Sequence, residues 1–569
     1  MSQTFSLHPK VVQVLKTRGL NDQDIQQLFR WSLEELPDVT QMLDLEKGAL
    51  RLIKAIKSKE RIAIYGDYDV DGTTSCALLY HFFLGLHVAV DLFQPGRFQE
   101  GYGIHLQSID NALAKNVRVL VTVDCGISNN ETATYALNKL DLIITDHHKD
   151  GRETLPEAYA VINPNRRDEP LDSPLKALAG VGVAFALALK IRQLLLSEQQ
   201  EVPSVYPLLQ FVAVGTLCDL ALLTPLNRQL VKHGLLSMKQ QPFPGLKAFL
   251  TEDDFVKEII PSDRISFHIG PKINSKGRLE HPEAALQVLL AGDLTTGQRL
   301  LSPLENSNQE RKSIQQKVVK EAQDLIKQKY PDGVYPPGLV LYQPHWHEGV
   351  IGIVASKMVE EYKRPTLILT QAHDEGLLKG SGRTAGKLDL YSVLKKMEHH
   401  FTKFGGHQAA AGFSLEKKQL SSLEKSFHLL LEEFPLSERT TLEHFDSDCD
   451  FYDVDLTLVR HVEKLTPFGR GHERPLFRLK PIKLHSFTLL KNLHLKWTFA
   501  PLLQQRPSQP QFLQGISFFY TQKQHAFSNV RLQQMVEEQI PLQAIVSVDL
   551  NVWNKKESVQ LLVKTLTLN

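Results

Sequence analysis

Between about residues 50 and 220 the chain alternates short β-rich runs with helix-compatible stretches, and this pattern constrains the fold more than any other. The runs are 61–65 (RIAIY), 88–93 (VAVDLF), 117–123 (VRVLVTV) and 142–145 (LIIT), with 75–84 and 129–139 as helices between them. Strands taking turns with helices predict a parallel sheet covered by helices. Such sheets collect their chemistry at the carboxyl ends of the strands, near the point where the strand order reverses. Asp124 and Asp146-His147-His148 follow two of the runs at once, and Asp67 follows a third after one glycine.

A chain of 569 residues exceeds one hydrophobic core, so several domains are expected. Residues 1–48 read as an N-terminal helical segment and 49–285 as the parallel-sheet α/β domain. Within 286–332, residues 305–330 are polar and free of Gly and Pro, which predicts a long connecting helix. Residues 333–438 read as a smaller α/β domain, with a turn-rich entry at 331–337 and strands at 339–342 and 366–369. Residues 439–569 are strand-rich, and 544–552 with 558–566 form a hairpin about the polar turn 554–557.

The chemistry is carried by four short segments. IYGDYDVDGTTS (64–75) runs from an apolar strand into Asp67, Asp69 and Asp71. Alternate residues of an extended segment share a side, so the three carboxylates are expected to converge, and converging carboxylates repel unless a cation neutralises them. The alternatives are an Asp-rich surface turn or a calcium loop, the latter disfavoured because Leu78 stands where its glutamate belongs. LVTVDCGIS supplies Asp124, LIITDHH supplies Asp146, His147 and His148, and FVAVGTLCDL supplies Asp219. Oxygen with imidazole suits Mn²⁺ or Mg²⁺, and a shared carboxylate bridges two such ions at roughly 3.5–4 Å, the spacing used in phosphoryl chemistry.

These segments resemble motifs I to IV of the DHH phosphoesterase superfamily, whose name is the triplet Asp146-His147-His148. The resemblance implies Asp69, Asp71, Asp124, His147 and Asp219 as metal ligands, with Asp124 bridging. It places His148 at the substrate phosphate and makes Asp67 a ligand or a supporting carboxylate, both in catalytic roles. Tyr65 replaces the ligand histidine of other members, a departure usual in the RecJ-like branch. FGGHQAAAGF (404–413) resembles the phosphate-binding signature of the DHHA1 domain, which implies substrate contacts from Gly405, Gly406 and His407. Read alone, it is a glycine turn entering an Ala-rich helix. Upstream, GSGRTAG carries Ser381 and Arg383, and HWHEGVIGIVASKM carries His347, Gly349 and Gly352.

PGRFQEGYG, IGPKINSKGRLE and PFGRGHERPLF are similar to RecJ-like segments, with Arg97, Tyr102, Lys272 and Arg278 as phosphate or base contacts. The alternative for each is a solvated surface charge. The C-terminal region resembles an OB-fold, in which Lys491, His494, Lys496, Trp497, Phe519 and Tyr520 are candidates for strand binding or core packing. The resemblance therefore implies a DHH domain, a DHHA1 domain and an OB-fold. It implies a monomeric, metal-dependent exonuclease that degrades single-stranded DNA 5′-to-3′ in recombination and repair. Single-strand-binding protein and a RecQ-type helicase are the implied partners. The rival reading is a DHH phosphodiesterase of short oligoribonucleotides or cyclic dinucleotides.

A net charge of +1, from 65 basic and 64 acidic residues, is low for a nucleic-acid binder. A cluster of ligand carboxylates lowers the total while basic grooves remain possible locally. Cys76, Cys125, Cys218 and Cys449 form no CxxC pair, which argues against disulfide frameworks and cysteine zinc sites and fits a reducing compartment. With no uninterrupted apolar run of about 18 residues and no signal core at the N-terminus, a cytoplasmic protein without a membrane span is expected.

Overall fold

The computed structural model describes residues 7–29, 33–95, 103–149, 154–279, 283–372, 376–440, 443–503, 512–522, 527–553 and 556–568. The chain divides into two compact units. One comprises residues 23–308 and 465–474; the other comprises 1–22, 309–464 and 475–569.

The first unit is built on the expected parallel sheet. Its strands are β1 (Ile62–Gly66), β2 (Val90–Phe93), β3 (Val119–Val123), β4 (Asp141–Thr145) and β5 (Ala160–Ile162), in the order β2-β1-β3-β4-β5. All pairings are parallel, so the order reverses between β1 and β3 and leaves a crevice at their carboxyl ends. Strands β1 and β3 are buried along their whole length, which is why they read as continuous apolar runs rather than alternating ones. Helices Leu45–Lys57, Val70–Gly85, Gly180–Ser197 and Leu209–Cys218 fill the core on one side of the sheet, with Leu52, Phe83, Val183 and Phe211 buried among them. A smaller cluster around Ile109, Leu120 and Ile144 covers the other side.

Gly180–Ser197 is long and apolar enough to cross a membrane, a property not apparent from a search for unbroken apolar runs because Lys190 and Arg192 interrupt it. Its apolar residues, Val181 to Ala188, lie in the core.

The connecting helix is Leu294–Lys329, eleven residues longer at its start than the sequence predicts, and Pro303 lies inside it. A mid-helix proline costs about 3 kcal/mol. Here the helix continues through it because Leu301 and Leu304 on either side are buried in the first unit's core.

The second unit holds two sheets. One contains β6 (Leu339–Tyr342), β7 (Thr366–Gln371), β8 (Leu377–Arg383), β9 (Lys403–His407) and β10 (Ala410–Glu416), in the order β6-β7-β8-β10-β9. The Ala-rich stretch after Gly406 is therefore strand, not helix: Ala410–Glu416 pairs with β8 and β9 at once, and this tertiary pairing overrides alanine's helix preference. The other sheet contains β11 (Ser447–Cys449), β12 (Phe477–Leu490), β13 (His494–Pro501), β14 (Leu513–Ser517), β15 (Leu542–Trp553) and β16 (Lys556–Leu568). Because β12 pairs with both β13 and β15, the strands close into a small barrel of the OB type. The N-terminal helix Pro9–Thr17 belongs to this unit, where Arg18 holds Asp446 through bonds of 2.8 and 2.9 Å.

Candidate metal centre

Strand β1 ends at Gly66, so the three aspartates do not converge by strand alternation as the sequence suggests. The chain turns at once into the Val70–Gly85 helix. Asp69 is its N-cap, accepting from the Gly72 amide at 3.0 Å, and Asp71 sits in its first turn. Gly72 permits this turn: a Cβ there would lie 2.4 Å from the Asp67 carbonyl oxygen. Convergence comes from a strand–turn–helix corner, which points all three carboxylates into the crevice from different backbone directions.

Asp71 is 1 % exposed. Its two oxygens accept from the amides of Gly180 (2.6 Å) and Val181 (2.9 Å), the first N–H groups of the Gly180–Ser197 helix. That helix start favours the anion, yet burial and the charges of Asp219 and Asp69 together push its carboxyl well above the usual range. Asp124 follows β3 with φ 60°, in the left-handed region. Burial, then Asp71, Asp69 and Asp67, raise its carboxyl in the same direction. Gly180 lets the helix start approach it, since a Cβ there would lie 2.7 Å from Asp124 Oδ1. Asp219 caps the Leu209–Cys218 helix, and burial followed by the Asp69 charge lifts its carboxyl to about 7.

The DHH triplet follows β4. Asp146 is fully buried and is the hub that the sequence does not reveal. Its Oδ1 accepts from the amides of His147 (2.7 Å) and His148 (3.1 Å), and its Oδ2 accepts from the Ile127 amide at 2.9 Å. It also lies 2.8 Å from His148 Nδ1. Burial opposes its charge, but the bond from His148 wins and holds its carboxyl below the ordinary value. The same bond, working against burial, raises His148 to about 9. Asn163 and Asn165, just beyond β5, donate to the carbonyls of His148 (2.9 Å) and His147 (2.7 Å) and fix the backbone of the pair. The only signal for these two is their place at the tip of another strand.

His147 supplies the clearest indication of a cation. Burial pushes its imidazole down to about 4, so it is neutral near pH 7. Its Nε2 is buried without a hydrogen bond, 3.2 Å from Asp124 Oδ1, 3.8 Å from Asp71 Oδ2 and 4.0 Å from Asp219 Oδ2. A lone pair facing three carboxylates is a repulsive arrangement that a divalent ion turns into a ligand set. Three groupings have ligand atoms within 4.8 Å of one another: Asp71–His147–Asp219, Asp67–Asp69–Asp124 and Asp124–His147–His148. The first two share no residue, giving two adjacent ligand sets with Asp124 beside His147. The residues fit a pair of hard or borderline cations.

The other predicted contacts are spread more widely. Arg97 and Tyr102 lie outside the described residues, as does the side chain of Arg278 on the Gly270–Leu279 helix. Lys272 is paired with Glu305 at 2.6 Å. In the second unit, Arg383 is pressed against Ser381 Oγ (3.0 Å) and the Gly382 carbonyl (2.7 Å), and burial lowers its guanidinium from its ordinary value. Gly352 makes room for both, because a Cβ would meet Arg383 Nη2 at 2.9 Å and Ser381 Oγ at 3.1 Å. Gly405, Gly406 and His407 lie on β9, the edge strand. Gly406 needs φ 153°, and a Cβ on Gly405 would meet open space, so bare backbone faces out there. In the barrel, Trp497 is fully buried, with its indole N–H on Ser517, and Tyr520 is also core. Phe519 is half exposed beside His494.

Comparison with known proteins agrees with this layout. Models of three domain families match: the DHH family N-terminal domain at residues 61–216, the DHHA1 domain at 336–433 and the RecJ OB domain at 445–565. The single-stranded-DNA-specific exonuclease RecJ of Escherichia coli is 33 % identical over 512 residues, 87 % of each chain. That of Bacillus subtilis is 29 % identical over 99 % of this chain and 69 % of its own. The crystal structure of Thermus thermophilus RecJ in complex with Mn²⁺ superposes with a TM-score of 0.77 at 25 % identity, covering 99 % of this chain and 76 % of that one.

Proposed function

The chain belongs to the RecJ family of the DHH phosphoesterases, and on that premise we propose that it hydrolyses phosphodiester bonds at the end of single-stranded DNA. The observation that carries the chemistry is the buried His147 Nε2 within 4.0 Å of three carboxylates.

In this reading Asp71, His147 and Asp219 would hold one divalent ion and Asp67, Asp69 and Asp124 a second, with Asp124 beside His147 of the first set. When bound, Mn²⁺ or Mg²⁺ supplies an activated water at neutral pH and charge to stabilise the attacked phosphate. The protein residues do the rest. Asp146 and the two asparagine amides fix the His147–His148 backbone. Nδ1 of His148 lies on Asp146, and that bond raises the imidazole and favours the protonated ring that a phosphate oxygen would meet. The Gly180 and Val181 amides orient Asp71 at no reorganisation cost. In the second unit, Ser381, Arg383 and the open β9 edge at Gly405–His407 suit a nucleotide phosphate, and the barrel suits the trailing strand. Arg97, Tyr102 and Arg278 remain assigned to strand binding.

We further assign 5′-to-3′ polarity, a role in recombination and repair, a cytoplasmic location, a monomeric state, and single-strand-binding protein with a RecQ-type helicase as partners. The test is competition between an end-labelled single strand and a dinucleotide in Mn²⁺. The strand is expected to win by at least about tenfold in kcat/KM. Preference for the dinucleotide overturns the assignment in favour of an oligonucleotide or cyclic-dinucleotide phosphodiesterase.

A further inference from the structure

The segment Leu465–Arg474 belongs to the unit that carries the metal centre, although the chain before and after it belongs to the other unit. Its sequence, LTPFGRGHER, is pinned at several points. Arg228, buried on the Pro225–Gln240 helix, donates to the Leu465 carbonyl at 3.0 Å. His472 is buried, with Nε2 2.8 Å from that same carbonyl, and stacks on Phe468 at 5.9 Å. Gly469 and His472 exchange backbone bonds of 3.1 and 3.0 Å, closing a tight loop. At its tip is Arg470.

The backbone of Arg470 is fixed against the chain that leaves Asp219. Its carbonyl accepts from the Leu223 amide at 2.8 Å, and its Nη1 donates to the Leu220 carbonyl at 3.4 Å. Glycine is favoured on both sides of it. A Cβ on Gly469 would meet Leu223 at 2.8 Å, and Gly471 has φ 79°. A loop this constrained specifies where its central side chain stands. That side chain is exposed and, among the described residues, makes no ion pair. A guanidinium has five N–H donors, and one long bond to a carbonyl leaves most of them unused. That carbonyl belongs to Leu220, the residue next to Asp219, so the guanidinium stands beside the metal centre.

A fixed, unpaired guanidinium at the rim of an acidic cluster is poorly explained by stability. We propose that Arg470 is a substrate-binding residue, its free N–H groups taking a phosphodiester of the single strand as that strand enters the metal centre on the Asp219 side. This assignment rests on the phosphodiesterase reading above. It makes the 465–474 loop part of the catalytic unit's binding surface, not a linker.

The test uses the full chain over a Mn²⁺ series up to saturation and compares wild type, Arg470→Gln and Arg470→Lys on a single strand. Arg470→Gln is expected to raise KM about tenfold or more with kcat little changed, since one charged contact to phosphate is lost in ground and transition states alike. The slope of log KM against log salt is expected to shrink by about 0.7, the value for one phosphate on a single strand. Arg470→Lys is expected to recover the slope and part of the KM. A raised Mn²⁺ requirement with KM and slope unchanged would overturn the proposal, making Arg470 a support for Asp219. Unchanged kinetics in Arg470→Gln would overturn it too. Loss of the underlying phosphodiesterase reading would show differently, as a wild type that does not cleave the strand.

Discussion

Asp124→Asn is expected to lower the rate of single-strand cleavage by at least about 10³-fold while leaving the protein folded. Asparagine is the informative replacement. Asp124 has φ 60°, a conformation that asparagine tolerates and alanine does not, so the variant removes charge without straining the corner after β3. Asp124 also lies in two of the three ligand groupings and 3.2 Å from His147 Nε2, so its charge acts on both cation positions. In EDTA near pH 8 the variant is expected to melt higher than wild type. One buried anion fewer then repels Asp71, Asp69 and Asp67, and active-site residues commonly trade about 1–2 kcal/mol of stability for function. Cleavage within about tenfold of wild type would remove Asp124 from the catalytic machinery.

The second large effect is a pH-dependent stabilisation by metal. The Asp219 carboxyl is raised from 3.8 to about 7, and those of Asp71 and Asp124 are raised in the same direction. A carboxyl whose folded pKa exceeds its unfolded value adds stability when protonated, and that stability is lost as pH rises through the folded pKa. The metal-free protein is therefore expected to lose melting temperature from about pH 4 through about pH 7, with Asp71 and Asp124 extending the loss upward. Mn²⁺ takes the place of these protons. Its apparent affinity is expected to rise about tenfold per pH unit for each proton displaced, so the melting shift it gives grows from about pH 5.5 to about pH 8. Thermal melts in EDTA and in Mn²⁺ across that range read both trends. A metal-free melting temperature that climbs with pH would contradict the carboxylate cluster.

The tips of β1, β3 and β4 are legible because each follows an apolar run, and a buried parallel strand leaves little else for an aspartate beyond its end to do; Asp219 instead ends the Leu209–Cys218 helix. The route by which Asp69 and Asp71 converge is not legible. The sequence places the helix start at Ser75, whereas it begins at Val70. Val, Asp, Gly and two threonines are weak helix formers, and the turn exists because Gly72 packs on the Asp67 backbone. The amides that hold Asp71 lie 109 and 110 residues away, beyond the reach of local pattern. The sequence shows Asp146 only as part of a triplet; its role as acceptor for its two neighbours and Ile127 depends on the geometry after β4. In the barrel, aromatic-rich sequence does not separate Trp497, buried on β13, from Phe519, which is exposed in the turn after β14 with φ 53°.

The central claim is that these side chains hold two divalent ions between them. Diffraction from Mn²⁺-soaked crystals at the manganese absorption edge tests it directly. The account predicts two anomalous peaks roughly 3.5–4 Å apart, one against Asp71, His147 and Asp219 and one against Asp67 and Asp69, with Asp124 between them. A single peak, or peaks away from Asp124 and His147, would contradict it.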